Sequence, residues 1–503
     1  MRPDKLDQRG PQMSLHSTPI GSRHNVPQRI LRIAVVTLSI IMSILNTARG
    51  DETHYENFRF GQTAIGFGGA VTGFLSEPEA TFYNPGGLGF LSMSKFSGAM
   101  NFLGHDKRVI RDFVSLDETD VPTQDGFSQD ILTLPTSSVI VKSFSGGRHA
   151  LAFSTFLLTE TRDNFSATLD VPDETQELRL GYTEQLDDRI ILIGPSYAAR
   201  LSPDVSFGVS IFYARRTYAV FDQVTERIIK PEIDSVPVGY TEIHERIETQ
   251  EGALLMKLGA MWRVNTRWSL GAVLSTPALQ LYGRGRYSFR FIDATPSDLI
   301  DQDADDDDDI ERFYEDTAEE DTFTQYPWTF GLGLSYGDPG TWRLALSVNL
   351  YLPLTYKRVE FDEDEVAEER FTSFITEIER ELTLNAAIGG ELYITPRWPL
   401  RLGLFTNHAS SPELNQARTP TPQLSHVDLY GGSLSVGYED ERASINLGVE
   451  VQVGSGYETT LDSELNTDLN ELFRRREREQ YRVLFFISGA LNFVRSRAAE
   501  IIR

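Results

Sequence analysis

From about residue 89 to residue 493 the chain is a succession of strand-like segments, and the connections between them alternate strictly short, long, short, long. The short ones fall at Gly146-Gly147, Ser202-Pro203, Asn265-Thr266, Gly337-Asp338-Pro339-Gly340, Thr395-Pro396 and Glu439-Asp440-Glu441. The long ones are polar and mostly acidic. An up-and-down barrel threaded through a bacterial outer membrane has this pattern, with tight turns on the periplasmic side and long loops outside. A soluble sandwich has no reason to gather its long loops at one end.

The segments alternate in polarity with period two. In Ala443 to Val453, Ala443, Ile445, Leu447, Val449 and Val451 point one way, and Ser444, Asn446, Gly448, Glu450 and Gln452 the other. One face therefore meets an apolar medium and the other a wet one. Fourteen such stretches occur, at roughly 89–103, 135–145, 148–161, 188–201, 204–219, 252–264, 267–291, 326–337, 341–360, 371–394, 397–408, 427–438, 442–457 and 480–493. The reading is an all-β fold, a 14-stranded antiparallel transmembrane β-barrel over 89–493 with a tail at 494–503. An even count leaves both ends on one side, and closure leaves no unpaired edge in lipid. Eight strands fill their own interior; fourteen leave a hole that a plug must fill. The loops near Asp120, Glu174, Glu232, Asp307, Glu368, Thr419 and Asn466 are expected outside.

Mean hydropathy of -0.27 argues against a helical membrane protein but not against a barrel, whose strands are half wet. Net charge is -26. Nucleic acid and anionic lipid are thus poor partners for the chain as a whole. Cysteine is absent, which excludes disulfides and thiolate metal sites. Residues 1–50 are expected to be a signal peptide behind a long polar leader. Arg29 and Arg32 flank the start of an apolar run from Ile33 to Leu45, and Ala48-Arg49-Gly50 offers a cleavage site. That run is shorter than the ~20 residues a spanning helix needs. Translation can start at Met1 or Met13.

Residues 51–88 do not read as strand. Gly66, Gly68, Gly69 and Gly73 punctuate a run of small residues, which allows close backbone packing, and Asn84-Pro85-Gly86-Gly87 signals a turn. Here the chain resembles the long-chain fatty acid outer-membrane transporter family (FadL type; with it the toluene and hydrocarbon transporters). That family carries a small-residue-rich N-terminal hatch ending in an Asn-Pro-Ala turn just before the first of fourteen strands. Phe82-Tyr83-Asn84-Pro85-Gly86-Gly87-Leu88 stands at that place, with glycine for alanine at 86. The resemblance extends to Gly194-Pro195-Ser196-Tyr197-Ala198, to Leu270 through Pro277 and to Leu400-Arg401-Leu402-Gly403-Leu404. It implies that residues 51–88 plug the lumen, with Asn84, Pro85 and Gly86 as the hatch turn. It also implies passive uptake of hydrophobic small molecules such as long-chain fatty acids or hydrocarbons. The family's wall has a defect near its third strand. Proline cannot donate to a ladder, so Gly194-Pro195 predicts a lateral opening between the third and fourth strands; Pro277 marks a second local break.

Other motifs carry less. Gly66-Phe67-Gly68-Gly69 lacks the spacing of a dinucleotide loop. Asp303, Asp305 and Asp307, in an acidic run, are a weak candidate for a divalent cation, because the glycine and terminal glutamate of a calcium loop are missing; a solvated acidic loop is the plainer reading. No paired-histidine motif occurs, and Gly333-Leu334-Ser335-Tyr336-Gly337, which has Gly-x-Ser-x-Gly spacing, lies within a strand-like stretch that ends in a short turn rather than on the strand-to-helix elbow a nucleophile needs, so no enzyme and no cofactor are expected. The expected partners are a hydrophobic substrate and the outer-membrane lipid and lipopolysaccharide around a monomer. A structural or adhesive barrel with acidic loops is the rival reading, and an outer-membrane lipid hydrolase the more remote one.

Overall fold

The computed structural model describes residues 53–91, 93–114, 124–172, 177–229, 237–294, 312–360, 377–419, 423–461 and 473–493. The expected signal peptide, the C-terminal tail and six of the seven expected outer loop positions (all but Thr419) lie outside those residues, as do Asp303, Asp305 and Asp307.

The wall is a closed antiparallel barrel of fourteen staves. It is built from β1 (Lys95–Val114), β2 (Gln124–Phe144), β3 (His149–Pro172), β4 (Glu177–Arg200), β5 (Val205–Ile229), β6 (Pro237–Arg263), β7 (Trp268–Ser275), β8 (Leu279–Asp293), β9 (Arg312–Thr322), β10 (Thr329–Asp338), β11 (Trp342–Tyr351), β12 (Leu354–Lys357), β13 (Val359–Glu360), β14 (Glu377–Arg380), β15 (Thr383–Thr395), β16 (Trp398–Asn407), β17 (Arg418–Thr419), β18 (His426–Glu439), β19 (Ala443–Leu461) and β20 (Phe473–Asn492). Around the barrel the order is β1 to β7, then β10, β11, β15, β16, β18, β19 and β20. Pairing of β20 with β1, from Lys95↔Asn492 to Ile110↔Arg478, closes the ring. Strand β8 continues the β7 stave beyond a break at Thr276–Ala278, where Pro277 sits as expected.

The barrel is inside out relative to a soluble protein. On β19, Ile445, Leu447 and Val453 are 46%, 47% and 43% exposed, whereas Asn446, Glu450 and Gln452 are 0%, 2% and 1% exposed. Apolar side chains face lipid and polar ones face the enclosed interior. Near the short turns an aromatic girdle includes Trp262, Trp268, Tyr336, Trp342, Trp398 and Tyr438, with the Trp268 and Tyr336 rings 4.4 Å apart.

Boundaries differ from the sequence reading at the start of the wall and at the long-loop ends of the strands. Pro85–Phe90 form a 3-10 helix, so the wall starts at Lys95 rather than near 89. Strands β3 to β6 run for 24, 24, 25 and 27 residues, well beyond the apolar stretches and the ~9–11 residues that cross a bilayer. The long-loop end of the barrel thus rises as a tall, polar-faced extension.

Candidate functional site

Residues 53–91 are enclosed by the wall, and glycine on both sides makes the fit. On the inner face a row of small residues runs from stave to stave in register: Gly208↔Gly259, Gly271↔Gly333, then Gly389↔Gly403. Backbone rests on backbone here. A Cβ at Gly271 would stand 2.0 Å from Thr72 O, and one at Gly403 2.2 Å from Gly68 N. From the inner side, Gly73 meets the Gly333 backbone and Gly66 meets Ser435 and Arg401. Gly68 and Gly69, at φ +62 and +92, supply a left-handed bend. Of the four glycines singled out in the sequence, Gly66, Gly68 and Gly73 meet the wall, whereas Gly69 faces Arg59 and the cavity. Their wall partners went unrecognised.

Asn84 pins the turn. Its Oδ1 accepts from Gly86 N–H at 3.0 Å, and its Nδ2 donates to Thr72 O at 2.8 Å and to Ala260 O on β6 at 3.0 Å. Pro85 opens the 3-10 helix, where a missing N–H costs nothing. Gly86 lies on the β6 backbone, with Ala260 and Gly259 3.0 Å from a notional Cβ. An alanine there has to shift the contact by a few tenths of an ångström.

The enclosed segment leans on the β16–β19 side through polar contacts. Arg59 donates to Gly68 O and to Glu450 Oε1, each at 3.0 Å, with its guanidinium 3.2 Å from the centre of the Phe405 ring. His54 Nε2 lies 2.8 Å from Val427 O, and Asn446 donates to Gln62 O. Toward β3 and β5 the contacts are aromatic: Phe60, Phe82 and Phe156 form a cluster with ring centres 4.8–5.3 Å apart.

Above the segment lies a cavity with about 140 Å³ open to the centres of water-sized molecules. Its wall side draws on β3, β4, β5, β6, β7, β10 and β11, with no residue from β1, β16, β18, β19 or β20. Leu158, Ile190, Leu192, Leu255 and Val273 make one flank apolar. The polar groups are placed singly. Arg216 holds Asp188 in a two-pronged pair at 2.9 and 3.0 Å. Glu56 accepts from Asn349 at 2.8 Å and Tyr351 at 3.0 Å. Lys257 projects into the cavity beneath these. Its Nζ donates to Phe82 O at 3.1 Å and lies 3.9 Å from the Phe82 ring centre. Among the described residues no carboxylate is within ion-pair distance of it. Lys257 therefore faces an apolar flank on one side and the Glu56 carboxylate across the cavity on the other, and it is a cation of this cavity that no ion pair among the described residues takes up. Lys257 went unnoticed in the sequence, although a lone lysine inside the apolar stretch Leu254–Trp262 was a usable signal.

The strand pairing around Gly194-Pro195 is uneven. Strands β3 and β4 stay paired through Phe153↔Pro195 and Ser154↔Gly194. The interruption caused by Pro195 faces β5, where pairing skips from Ile193↔Tyr213 to Ser196↔Ser210. There is no hole there, because Gly194 presses onto Ile211 O, 1.9 Å from a notional Cβ. The larger discontinuity lies between β2 and β3. Their ladder runs from Phe144↔His149 to Ser137↔Phe156 and resumes at the single pair Ser128↔Phe165, with no pair between among the described residues. Two causes are visible. Pro135 of β2 has no N–H to give. A bulge on β3 leaves Leu158 without a partner on β4. Continuing the register brings these two residues opposite each other. Leu158 and Thr159 also line the cavity, so cavity and wall gap share residues.

No protein-family profile matches the chain, and no curated protein matches it. Solved structures do. A FadL homologue from Pseudomonas aeruginosa superposes with a TM-score of 0.58 at 16% identity, covering 87% of this chain and 99% of that one. The toluene transporter TodX of P. putida gives 0.55 at 12% identity, over 88% and 100%. The toluene transporter TbuX of Ralstonia pickettii gives 0.50 at 12%, over 88% and 99%. At these identities the likeness is one of fold, and it spans nearly the whole of each relative: the chain has the FadL-type barrel fold.

Proposed function

We propose that this chain is a passive outer-membrane channel for hydrophobic small molecules, and that its substrate carries an anionic head on an apolar tail, as a long-chain fatty acid does. The observation that carries the reading is Lys257, a cation without an ion-pair partner among the described residues, facing an apolar-flanked cavity inside a lipid-embedded barrel. The FadL homologue and the toluene transporters, which share the fold, make hydrophobic cargo the natural class. The short turns then face the periplasm and the tall extension faces outward.

In this reading residues 51–88 act as the hatch. Its tight fit to the glycine row keeps ions out while leaving the β3–β11 arc free for cargo. The wall gap between β2 and β3, next to Leu158, is the way out into the membrane.

The test is binding. Replacing Lys257 by Met keeps the stem's bulk and removes the charge. Loss of one charge-assisted contact is worth roughly 1.5–3 kcal/mol, or about ten- to a hundredfold in affinity for a long-chain fatty acid. Affinity for an alkane of equal length should not change. If both ligands weaken equally, or if neither binds the wild-type barrel, the anionic-head reading fails.

A further inference from the structure

We propose that the outward face of β4–β8, just beyond the lipid-facing band, docks phosphate-bearing lipid head groups through Arg215 and Arg284. The proposal rests on the outer-membrane reading but not on the cavity or its cargo.

The position comes from the register. Tyr213 on β5 and Tyr282 on β8 reach across Gly252 of β6, and their hydroxyls are 2.8 Å apart. Gly252 leaves room for this, since a Cβ there would stand 2.3 Å from the Tyr282 ring. Toward the short turns the same face is apolar and exposed, with Ile211, Leu258, Leu279 and Leu281. The tyrosine pair thus ends the apolar band. Two residues further along each strand, on the same face, come Arg215 and Arg284, both exposed.

The height agrees. Arg215 is ten residues along β5 from Val205, where the strand leaves its short turn. At ~3.3 Å per residue and a tilt of about 40°, that is roughly 25 Å along the membrane normal, the height of a barrel's apolar band. Arg284 falls in the row Arg189↔Thr217↔Gln250↔Arg284.

Charge sorts by row. The row beyond, Asp187↔Ala219↔Glu248↔Arg286↔Glu319, holds the acids. There Glu248 is paired with Arg246, and Glu319 is 3.7 Å from Arg286. Nearer the lipid, Arg189 is paired with the buried Glu160. Arg215 and Arg284 have no ion pair among the described residues. In a chain of net charge -26, two uncommitted guanidinium groups stand on a rigid sheet at head-group level. Beyond Arg284 the surface is concave, a groove in which Arg189, Arg284 and Arg286 stand among Asp187, Glu248, Glu319, Glu320 and Asp321, while Arg215 lies outside it on the lipid side. Guanidinium forks match phosphate oxygens two at a time, and phosphate is the anion that a lipid surface presents at that height.

The test uses the full chain refolded in detergent and titrated with a diphosphorylated acyl-glucosamine lipid, with the same lipid dephosphorylated, and with inorganic pyrophosphate. Bound lipid is counted by native mass spectrometry. The phosphorylated lipid should bind, and the other two should neither bind comparably nor displace it. The double variant R215A/R284A should weaken binding by about a hundredfold, roughly tenfold for each charge-assisted contact. Fatty-acid binding in the cavity should be unchanged, which separates this proposal from the one above. The lysine pair R215K/R284K guards against a folding artefact and should fall between wild type and the alanine pair. Equal binding by all three proteins, equal binding of the dephosphorylated lipid, or displacement by pyrophosphate at matched concentration overturns the proposal.

Discussion

Asn84 offers the sharpest test of what keeps the N-terminal segment in place. Its side chain makes three hydrogen bonds, one within the turn, one to Thr72 and one to the β6 wall at Ala260. Asn84→Ala removes all three and leaves one donor and two acceptors of the backbone unmatched. At about 1 kcal/mol each, docking weakens by ~3 kcal/mol, and the undocked population rises about a hundredfold. Asn84→Asp keeps the size and shape and one acceptor. It also turns a second oxygen, in place of Nδ2, toward the carbonyls of Thr72 and Ala260. Despite being nearly isosteric, it should undock the segment at least as much as alanine does at neutral pH. Acidification should partly restore docking, because a protonated carboxyl can donate to one carbonyl. Ion conductance in planar bilayers reports the undocked state, and the electrophoretic shift on boiling reports an intact barrel. Wild-type conductance in the aspartate variant would refute the argument that the two donated bonds do the holding. Loss of the heat-dependent shift would mean that Asn84 supports the wall itself.

Glu79, buried over Gly61, has its carboxyl pushed up to about 7, first by burial and then by Glu77, against the opposing influence of Ser97 and Lys95. Docking therefore holds a proton that a free segment releases near 4.5, so it is strongest below that value and weakens as pH rises from about 4.5 to 7; conductance should climb over that window, and Glu79→Gln should flatten the profile. Cysteines placed at Thr136 and Leu157, across the start of the unpaired stretch between β2 and β3, are the only thiols in the chain; oxidising them should abolish uptake of an apolar substrate and reduction should restore it. The same experiment across Phe153 and Pro195, which are already paired, should change nothing, and the opposite pattern would return the exit to the third and fourth strands.

The sequence was most legible where lipid imposes period two. The fourteen staves and the short turns between them follow from that alternation. Where the strands leave the membrane the apolar face disappears, so the outer halves of β3 to β6 did not read as strand. That omission concealed the wall gap. The stretch read from the sequence starts at 135, which puts Pro135 at its edge; in the strand that starts at Gln124 it is internal and deprives the ladder of a donor. Pro195 was the more conspicuous proline, yet Gly194 beside it lets β4 close onto β5. The hatch glycines were visible as a cluster, whereas Gly259, Gly333 and Gly403 looked like ordinary strand glycines. Their meaning depends on what packs against them from more than two hundred and fifty residues away in the case of Gly333 and Gly403.

The enclosed segment and the cavity divide the lumen unequally, and the division constrains the route. On the β16–β19 side the wall offers Glu450, Asn446 and the Val427 carbonyl, all engaged by Arg59, Gln62 or His54. Beside them Arg482 is held by Asp106 and Arg478 by Glu458. An apolar solute crossing that side would break buried ion pairs without replacing them, at several kcal/mol each. On the β3–β7 side the same solute meets Leu158, Ile190, Leu192, Leu255 and Val273 and can pass along them while the Arg216–Asp188 pair stays closed. The unpaired stretch between β2 and β3 adjoins that side. A hydrophobic molecule that reaches the cavity from the long-loop end therefore has a lower-cost path sideways past Leu158 than downward through the segment. Downward passage must also displace backbone packed to within van der Waals contact of the glycine row. If the proposed channel reading holds, the enclosed segment stays seated while cargo passes, which predicts that cross-linking it to the wall at Ala260 leaves uptake intact.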